Sequence, residues 1–188
     1  MKRAFDVAAC ALFLVFGWPI LLVIIIAIRF QSPGPAIFTQ VRVGKGGRPF
    51  TCYKLRTMYS GTANLPTHQV EASSVTALGE YLRRFKIDEL PQLCNVLIGD
   101  MSLVGPRPCL PSQIDLVEAR RKLGVLELRP GITGLAQVNG VDMSDPNRLA
   151  GIDAQYVRTQ SLMGDFRLIM ATLRGRGIGV DQIVANSE

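Results

Sequence analysis

Between Asp6 and Arg29 the chain carries no charge, and the run from Val7 to Ile28 is dominated by Ala, Val, Leu, Ile and Phe. Twenty-two such residues in a helix would reach roughly 33 Å, about one hydrocarbon thickness. A simple transmembrane span is therefore the first reading, and two features argue against it. Gly17-Trp18-Pro19 falls at the middle of the run, and Pro19 removes a backbone donor and crowds the preceding turn, so a kink or break is expected at Trp18 and Pro19. Basic residues flank both ends, Lys2 and Arg3 before the run and Arg29, Arg42 and Lys45 after it, whereas a spanning helix would put one group on the disfavoured face. A helix that enters, bends and returns keeps both groups cytoplasmic. On the residues alone, that re-entrant helix and a kinked span stay level. A cleavable signal peptide fits less well, because the apolar run is long and no small-x-small site follows it. Val7-Ala8-Ala9-Cys10 has the look of a lipoprotein cleavage site but precedes the run.

The remainder is expected to form one domain, since 188 residues at 48% apolar content can bury a single core. The expected division is a membrane hairpin over 1–30 and a cytoplasmic, membrane-associated domain over 31–188. A net charge of +6 suits an anionic partner: a lipid surface, nucleotide phosphates or nucleic acid. Cys10, Cys52, Cys94 and Cys109 are widely spaced and His68 is the only histidine. Neither a zinc site nor a disulfide framework is favoured, and free thiols facing a reducing cytosol are expected.

Gln31-Ser32-Pro33-Gly34-Pro35 cannot continue a helix. Phe38 to Val43 and Phe50 to Leu55 read as strands of a hairpin joined by Gly44-Lys45-Gly46-Gly47, which lacks the spacing of a phosphate loop. Ser60 to Ser74, with His68, reads as a polar surface loop. An amphipathic helix is expected over Val75 to Phe85, with Arg83, Arg84 and Lys86 at its end. Pro91 and Gly99 bracket another. Further helices are expected over Ser112 to Lys122 and Ile152 to Leu173, with turn-rich loops at Gly105-Pro106-Arg107-Pro108 and Arg129 to Gly134. The last helix mixes apolar residues with arginines and fits either core packing or an anionic lipid surface. The fold class is α/β, mostly helical with a small β-hairpin or sheet element.

The chemistry-bearing feature is Asp88-Glu89, placed just before a helix start with Arg83, Arg84 and Arg107 within reach. Helix-start N–H groups attract anions, guanidinium groups pair with phosphates and a carboxylate can hold Mg²⁺, a combination that suits phosphoryl transfer. Taken alone, an Asp-Glu pair before a helix is more often mere charge decoration.

Several longer blocks change that balance. Lys2-Arg3-Ala4-Phe5-Asp6, Ser32-Pro33-Gly34-Pro35, Phe38-x-Gln40-x-Arg42-x-Gly44 and Lys54-Leu55-Arg56-Thr57-Met58 are followed by Asp88-Glu89-Leu90-Pro91-Gln92-Leu93-x-Asn95-Val96. Gly99 to Pro108 and Arg129 to Gly140 complete the set. In this order, from about residue 2 to 173, they resemble the bacterial sugar transferase family, the monotopic phosphoglycosyl transferases, at the size of its minimal catalytic unit.

The resemblance implies a re-entrant helix broken at Trp18 and Pro19, an active site at the cytoplasmic face of the bacterial inner membrane, and Mg²⁺ as cofactor. It implies transfer of a sugar-1-phosphate from a UDP-sugar to polyprenyl (undecaprenyl) phosphate, the first membrane step of surface glycan assembly. Asp88 would attack the sugar-bearing phosphorus, expel UMP and hold a covalent phosphosugar, and would serve as metal ligand. Glu89 would support proton handling or the metal. Arg83 and Arg107 would bind phosphate, with Lys54, Arg56 and Arg129 as further candidates. Two carboxylates beside a diphosphate also need cation charge on physical grounds. One departure stands out: Val141 follows Asn139-Gly140 where the family commonly has Arg, which puts donor affinity or sugar choice in question.

The rival is a non-catalytic membrane-surface scaffold that recruits glycan-assembly enzymes and has no need of a reactive Asp88. Nucleic acid is not an expected partner, since aromatic residues make up 7% of the chain and no recognition motif occurs.

Overall fold

The computed structural model describes residues 1–59 and 74–174; most of the expected polar loop, His68 included, lies outside them. Helix α1 covers Lys2–Gln31 and contains Pro19. The expected break at Trp18 and Pro19 does not end the helix, although the ring leaves the carbonyl four residues earlier without its N–H partner.

Both ends of α1 are fastened to the domain that follows. At the start, Arg3 donates to the Val96 and Leu97 carbonyls at 2.5 and 3.0 Å. Asp6, 3% exposed, accepts from Ser102 Oγ at 2.7 Å. Lys2 reaches Asp165 at 2.5 Å. At the far end, Arg56 donates to the carbonyls of Ile28, Ser32 and Pro33. Its cation thereby satisfies carbonyls at and just beyond a helix C-terminus. Cys10 packs in the cluster of Cys52, Leu93, Val96 and Met101, and Ile28 in that of Ala36, Leu55 and Leu82. Between these ends, Leu12, Phe13, Val15, Phe16, Trp18, Ile20, Leu22 and Val23 stand exposed.

Strands β1 (Ile37–Val43) and β2 (Pro49–Leu55) form the expected antiparallel hairpin, with Gln40 opposite Cys52. The turn uses Gly46 and Gly47 at φ 68° and 77°, a region open to glycine at little cost. Helix α2 covers Ala77–Arg84, later than expected because Val75 bridges to Met58 instead of joining the helix. Thr76 caps α2 through its hydroxyl, which accepts from Gly79 N at 2.9 Å. Helix α3 (Gln92–Ile98) ends at Gly99, φ 102°, the left-handed cap expected of glycine.

Two expectations need correction. The turn-rich loop at Arg129 to Gly134 contains a strand, β4 (Gly131–Thr133), which pairs in parallel with β3 (Ser102–Val104). The glycines explain why: a Cβ on Gly131 would lie 2.0 Å from Gly105 N, and one on Gly134 2.2 Å from Gly105 O. Two backbones cross where no side chain fits, so glycine-rich turns make a sheet instead of loops. The long last helix is two, α6 (Pro146–Thr159) and α7 (Leu162–Leu173), because Ser161 caps a new start by accepting from Gly164 N at 3.1 Å. Helices α4 (Ile114–Lys122) and α5 (Leu135–Val138) complete the chain. Val43, Cys109, Leu116, Ala136, Leu149 and Ala150 pack together between α4, α5 and α6.

Candidate active site

Asp88 and Glu89 lie in a 3-10 turn, Ile87–Glu89, between α2 and α3, and both are buried, at 9% and 8% exposure. Asn95 holds α3 beside them. Fully buried, it accepts from Tyr53 N at 3.1 Å and donates to Thr51 O at 2.7 Å, tying α3 to the edge of β2. From that edge Lys54 reaches the acidic pair. On the other side, Gly79 lets α2 approach the Thr57 backbone, since a Cβ there would sit 2.0 Å from Thr57 O. One turn later on the same helix, Arg83 Nε donates to Thr57 Oγ1 at 2.9 Å.

The two carboxylates are held differently. Glu89 Oε1 receives both Lys54 Nζ and Arg107 Nη2, each at 2.9 Å. Burial alone would push its carboxyl up, but the charges and hydrogen bonds of Lys54 and Arg107 outweigh it and hold the group at about 2. Among the described residues Asp88 has only Lys54, at 4.0 Å. Burial raises its carboxyl above the usual range; Glu89 adds to the rise, and Lys54, Arg107 and Arg83 oppose it. Glu89 is therefore a fixed anion that organises cations, while Asp88 accepts no hydrogen bond from the described residues.

Lys54 and Arg107 are thus brought to the carboxylates, and Arg83, held on Thr57, acts on Asp88 through its charge. Arg56 is not brought there: its guanidinium is spent on the end of α1. Arg129 donates to Gly99 O at 2.8 Å and lines a separate cleft with Lys45, Arg48, Asp100 and Glu127. Val141 is 8% exposed and packs in the core, so an arginine here would have to bury its charge or leave the position. Arg148, exposed on α6, does not share that position.

Sequence reasoning missed the groups behind the site. Arg120 Nη1 donates to the Arg107 carbonyl at 2.8 Å while Nε and Nη2 grip Asp153 at 3.0 and 2.7 Å. Arg42 donates to Pro108 O at 3.1 Å and to Gln40 Oε1. The signal for Arg42 was its place in the Phe38-x-Gln40-x-Arg42 block; Arg120 and Asp153 had none.

Among the described residues no three His, Cys, Asp or Glu side chains converge. The donor set still fits Mg²⁺, which binds diphosphate substrates through one or two carboxylates and otherwise keeps phosphate and water oxygens. Asp88 is the free carboxylate that would hold it.

A sequence profile described as bacterial sugar transferase matches residues 1–176. The chain is 43% identical over 183 residues to a UDP-glucose:undecaprenyl-phosphate glucose-1-phosphate transferase of Caulobacter vibrioides, covering 92% of this chain and 68% of that protein. It is 38% identical over 186 residues to an undecaprenyl-phosphate glucose phosphotransferase of Komagataeibacter xylinus, 92% of this chain and 35% of the relative. A UDP-N-acetylgalactosamine-undecaprenyl-phosphate N-acetylgalactosaminephosphotransferase of Aeromonas hydrophila is 35% identical over 181 residues, with 93% and 43% covered. The chain therefore spans between about one third and two thirds of these relatives' lengths. With the profile matched from the first residue to α7 and both carboxylates set among the cations its motifs supply, the chain belongs to the bacterial sugar transferase family.

Proposed function

We propose that the chain transfers a sugar-1-phosphate from a UDP-sugar to undecaprenyl phosphate through a covalent phosphosugar on Asp88. The observation that carries this reading is the asymmetry of the pair: Glu89 is neutralised by two cations at 2.9 Å, and Asp88 has beside them a single longer ion pair, to Lys54 at 4.0 Å. In the first half-reaction an Asp88 oxygen attacks the sugar-bearing phosphorus. The bond from that phosphorus to the bridging oxygen breaks, and UMP departs with the bridging oxygen and its electrons. In the second, an oxygen of undecaprenyl phosphate attacks the same phosphorus, the acyl phosphate bond breaks, and the Asp88 carboxylate is restored. Lys54 and Arg107 keep Glu89 ionised and oriented, and Arg83 lies close enough to influence Asp88. A Mg²⁺ held by Asp88 and the diphosphate would neutralise charge on the phosphate oxygens. Relatives are named for glucose and for N-acetylgalactosamine donors, so the donor is proposed only as a UDP-sugar. Multiple-turnover release of UMP from a panel of UDP-sugars, sustained only with polyprenyl phosphate and abolished by chelation, tests the assignment. A protein that binds membranes but releases no UMP from any donor would be the scaffold instead.

The reading includes a cytoplasmic domain on the inner membrane with α1 re-entrant. Both ends of α1 bind the same domain, whereas the ends of a spanning helix lie on opposite faces about 30 Å apart. Single cysteines at Ala4 and Lys45 in a cysteine-free background should both resist a membrane-impermeant reagent in intact cells. Labelling at residue 4 alone would restore a span.

A further inference from the structure

Lys86 is the only described non-glycine residue with positive φ, at φ 56° and ψ 22°. It stands just past the end of α2, where its N–H donates to Arg83 O at 3.0 Å. This is the left-handed position that glycine usually fills after a helix, and a β-carbon is strained there by its contact with the following carbonyl oxygen. Backbone needs alone would favour glycine. The side chain must supply something that glycine lacks, and its surroundings show what.

Lys86 is half-buried and two residues from Asp88, and its ammonium feels the charges of Glu89, Arg107 and Asp88. Yet among the described residues it forms no ion pair and no side-chain hydrogen bond, whereas Lys54 and Arg107 are engaged by Glu89 and Arg83 by Thr57. A partly desolvated ammonium without a partner is costly until an anion meets it. Strained backbone beside a reactive group is also a recurrent feature of functional sites.

We propose that the Lys86 ammonium binds a non-bridging phosphate oxygen of the substrate at the Asp88 site, as a cation there that no described side chain engages. The inference rests on the proposed transfer reaction, and the phosphate is that of the UDP-sugar or of the lipid acceptor. Lys86→Gly keeps the backbone geometry, removes the strain and deletes the charge, so stability and substrate affinity should move in opposite directions.

The experiment compares wild type, Lys86→Gly and Lys86→Arg in detergent, measuring melting temperature and the KM of each substrate by UMP release. For Lys86→Gly the melting temperature should hold or rise while one KM rises roughly tenfold, the loss of one charge-assisted hydrogen bond. Lys86→Arg should recover most of that loss. A rise in donor KM assigns the nucleotide-sugar phosphate, and a rise in acceptor KM the lipid phosphate. Unchanged KM for both substrates overturns the proposal, as does a fall in melting temperature that accounts for the lost activity. Absence of UMP release by wild type would instead sink the transfer reaction itself.

Discussion

Arg120 meets Asp153 at 2.7 Å with both side chains 3% exposed, so the charge pair joining α4 to α6 lies inside the protein. The same guanidinium donates to the carbonyl of Arg107. The support of a site residue is thus built into the core.

Removing one partner of such a pair leaves an uncompensated buried charge, which costs roughly 3–5 kcal/mol. Asp153→Ala should therefore lower the unfolding free energy by about that amount, read by denaturant titration in detergent. A fully hydrophobic replacement, Asp153→Leu with Arg120→Met, should lose much less stability but release the Arg107 backbone and slow turnover.

The crossing of the two glycine-rich motifs makes a contrast between equal substitutions. Gly131→Ala would place a Cβ 2.0 Å from Gly105 N, with no flexible side chain to yield, and should leave little folded protein. Gly151→Ala, in α6 with nothing within 4 Å of the added atom, should be neutral or raise stability by up to about 1 kcal/mol. Melting temperatures of the two variants check both statements.

What the sequence disclosed depended on how local the signal was. The β1–β2 hairpin, the Gly99 cap and the apolar α1 follow from nearby residues, and all three are present. The β3–β4 pairing joins segments about 29 residues apart; two short turn motifs show no alternation, and only their crossing explains the glycines. Arg83 and Arg107 are legible as charges within reach of Asp88-Glu89, and Lys54 only through its place in a family motif. Arg56, in the same block as Lys54 but just past the end of β2, turns to a different task because the carbonyls of Ile28, Ser32 and Pro33, 23 to 28 residues earlier, engage its guanidinium. Arg120 and Asp153 form a contact across 33 residues with no motif to announce it.

The depressed Glu89 carboxyl predicts an acid-side stability profile. Its folded value, about 2, is below the ordinary 4.5, so the unfolded chain binds more protons between those values. The contribution is complete above pH 4.5 and is lost as pH falls toward 2. The stability gap between wild type and Glu89→Gln should accordingly narrow across this window in denaturant titrations. A gap that stayed constant with pH would show that Glu89 is not held ionised by Lys54 and Arg107.

The mechanism is decided by what Asp88 keeps after UMP leaves. If Asp88 is the nucleophile, protein given UDP-sugar and Mg²⁺ without polyprenyl phosphate should retain a sugar-phosphate on the peptide containing Asp88, seen by intact mass after rapid acid quench. Asp88→Asn should abolish both adduct and turnover, because an amide is a poor nucleophile and a weaker metal ligand. Glu89→Gln should weaken its ion pairs with Lys54 and Arg107, slowing turnover by a factor on the order of 10²–10⁴, the range of a supporting catalytic group, while leaving some adduct. The difference between the variants follows from the geometry: Glu89 holds two cations at 2.9 Å, while Asp88 has one ion pair at 4.0 Å and a carboxylate left to react. A slow donor analogue guards against hydrolysis of the acyl phosphate. No adduct even with that analogue, together with kinetics requiring both substrates before UMP leaves, would mean direct in-line transfer, with Asp88 reduced to holding the metal.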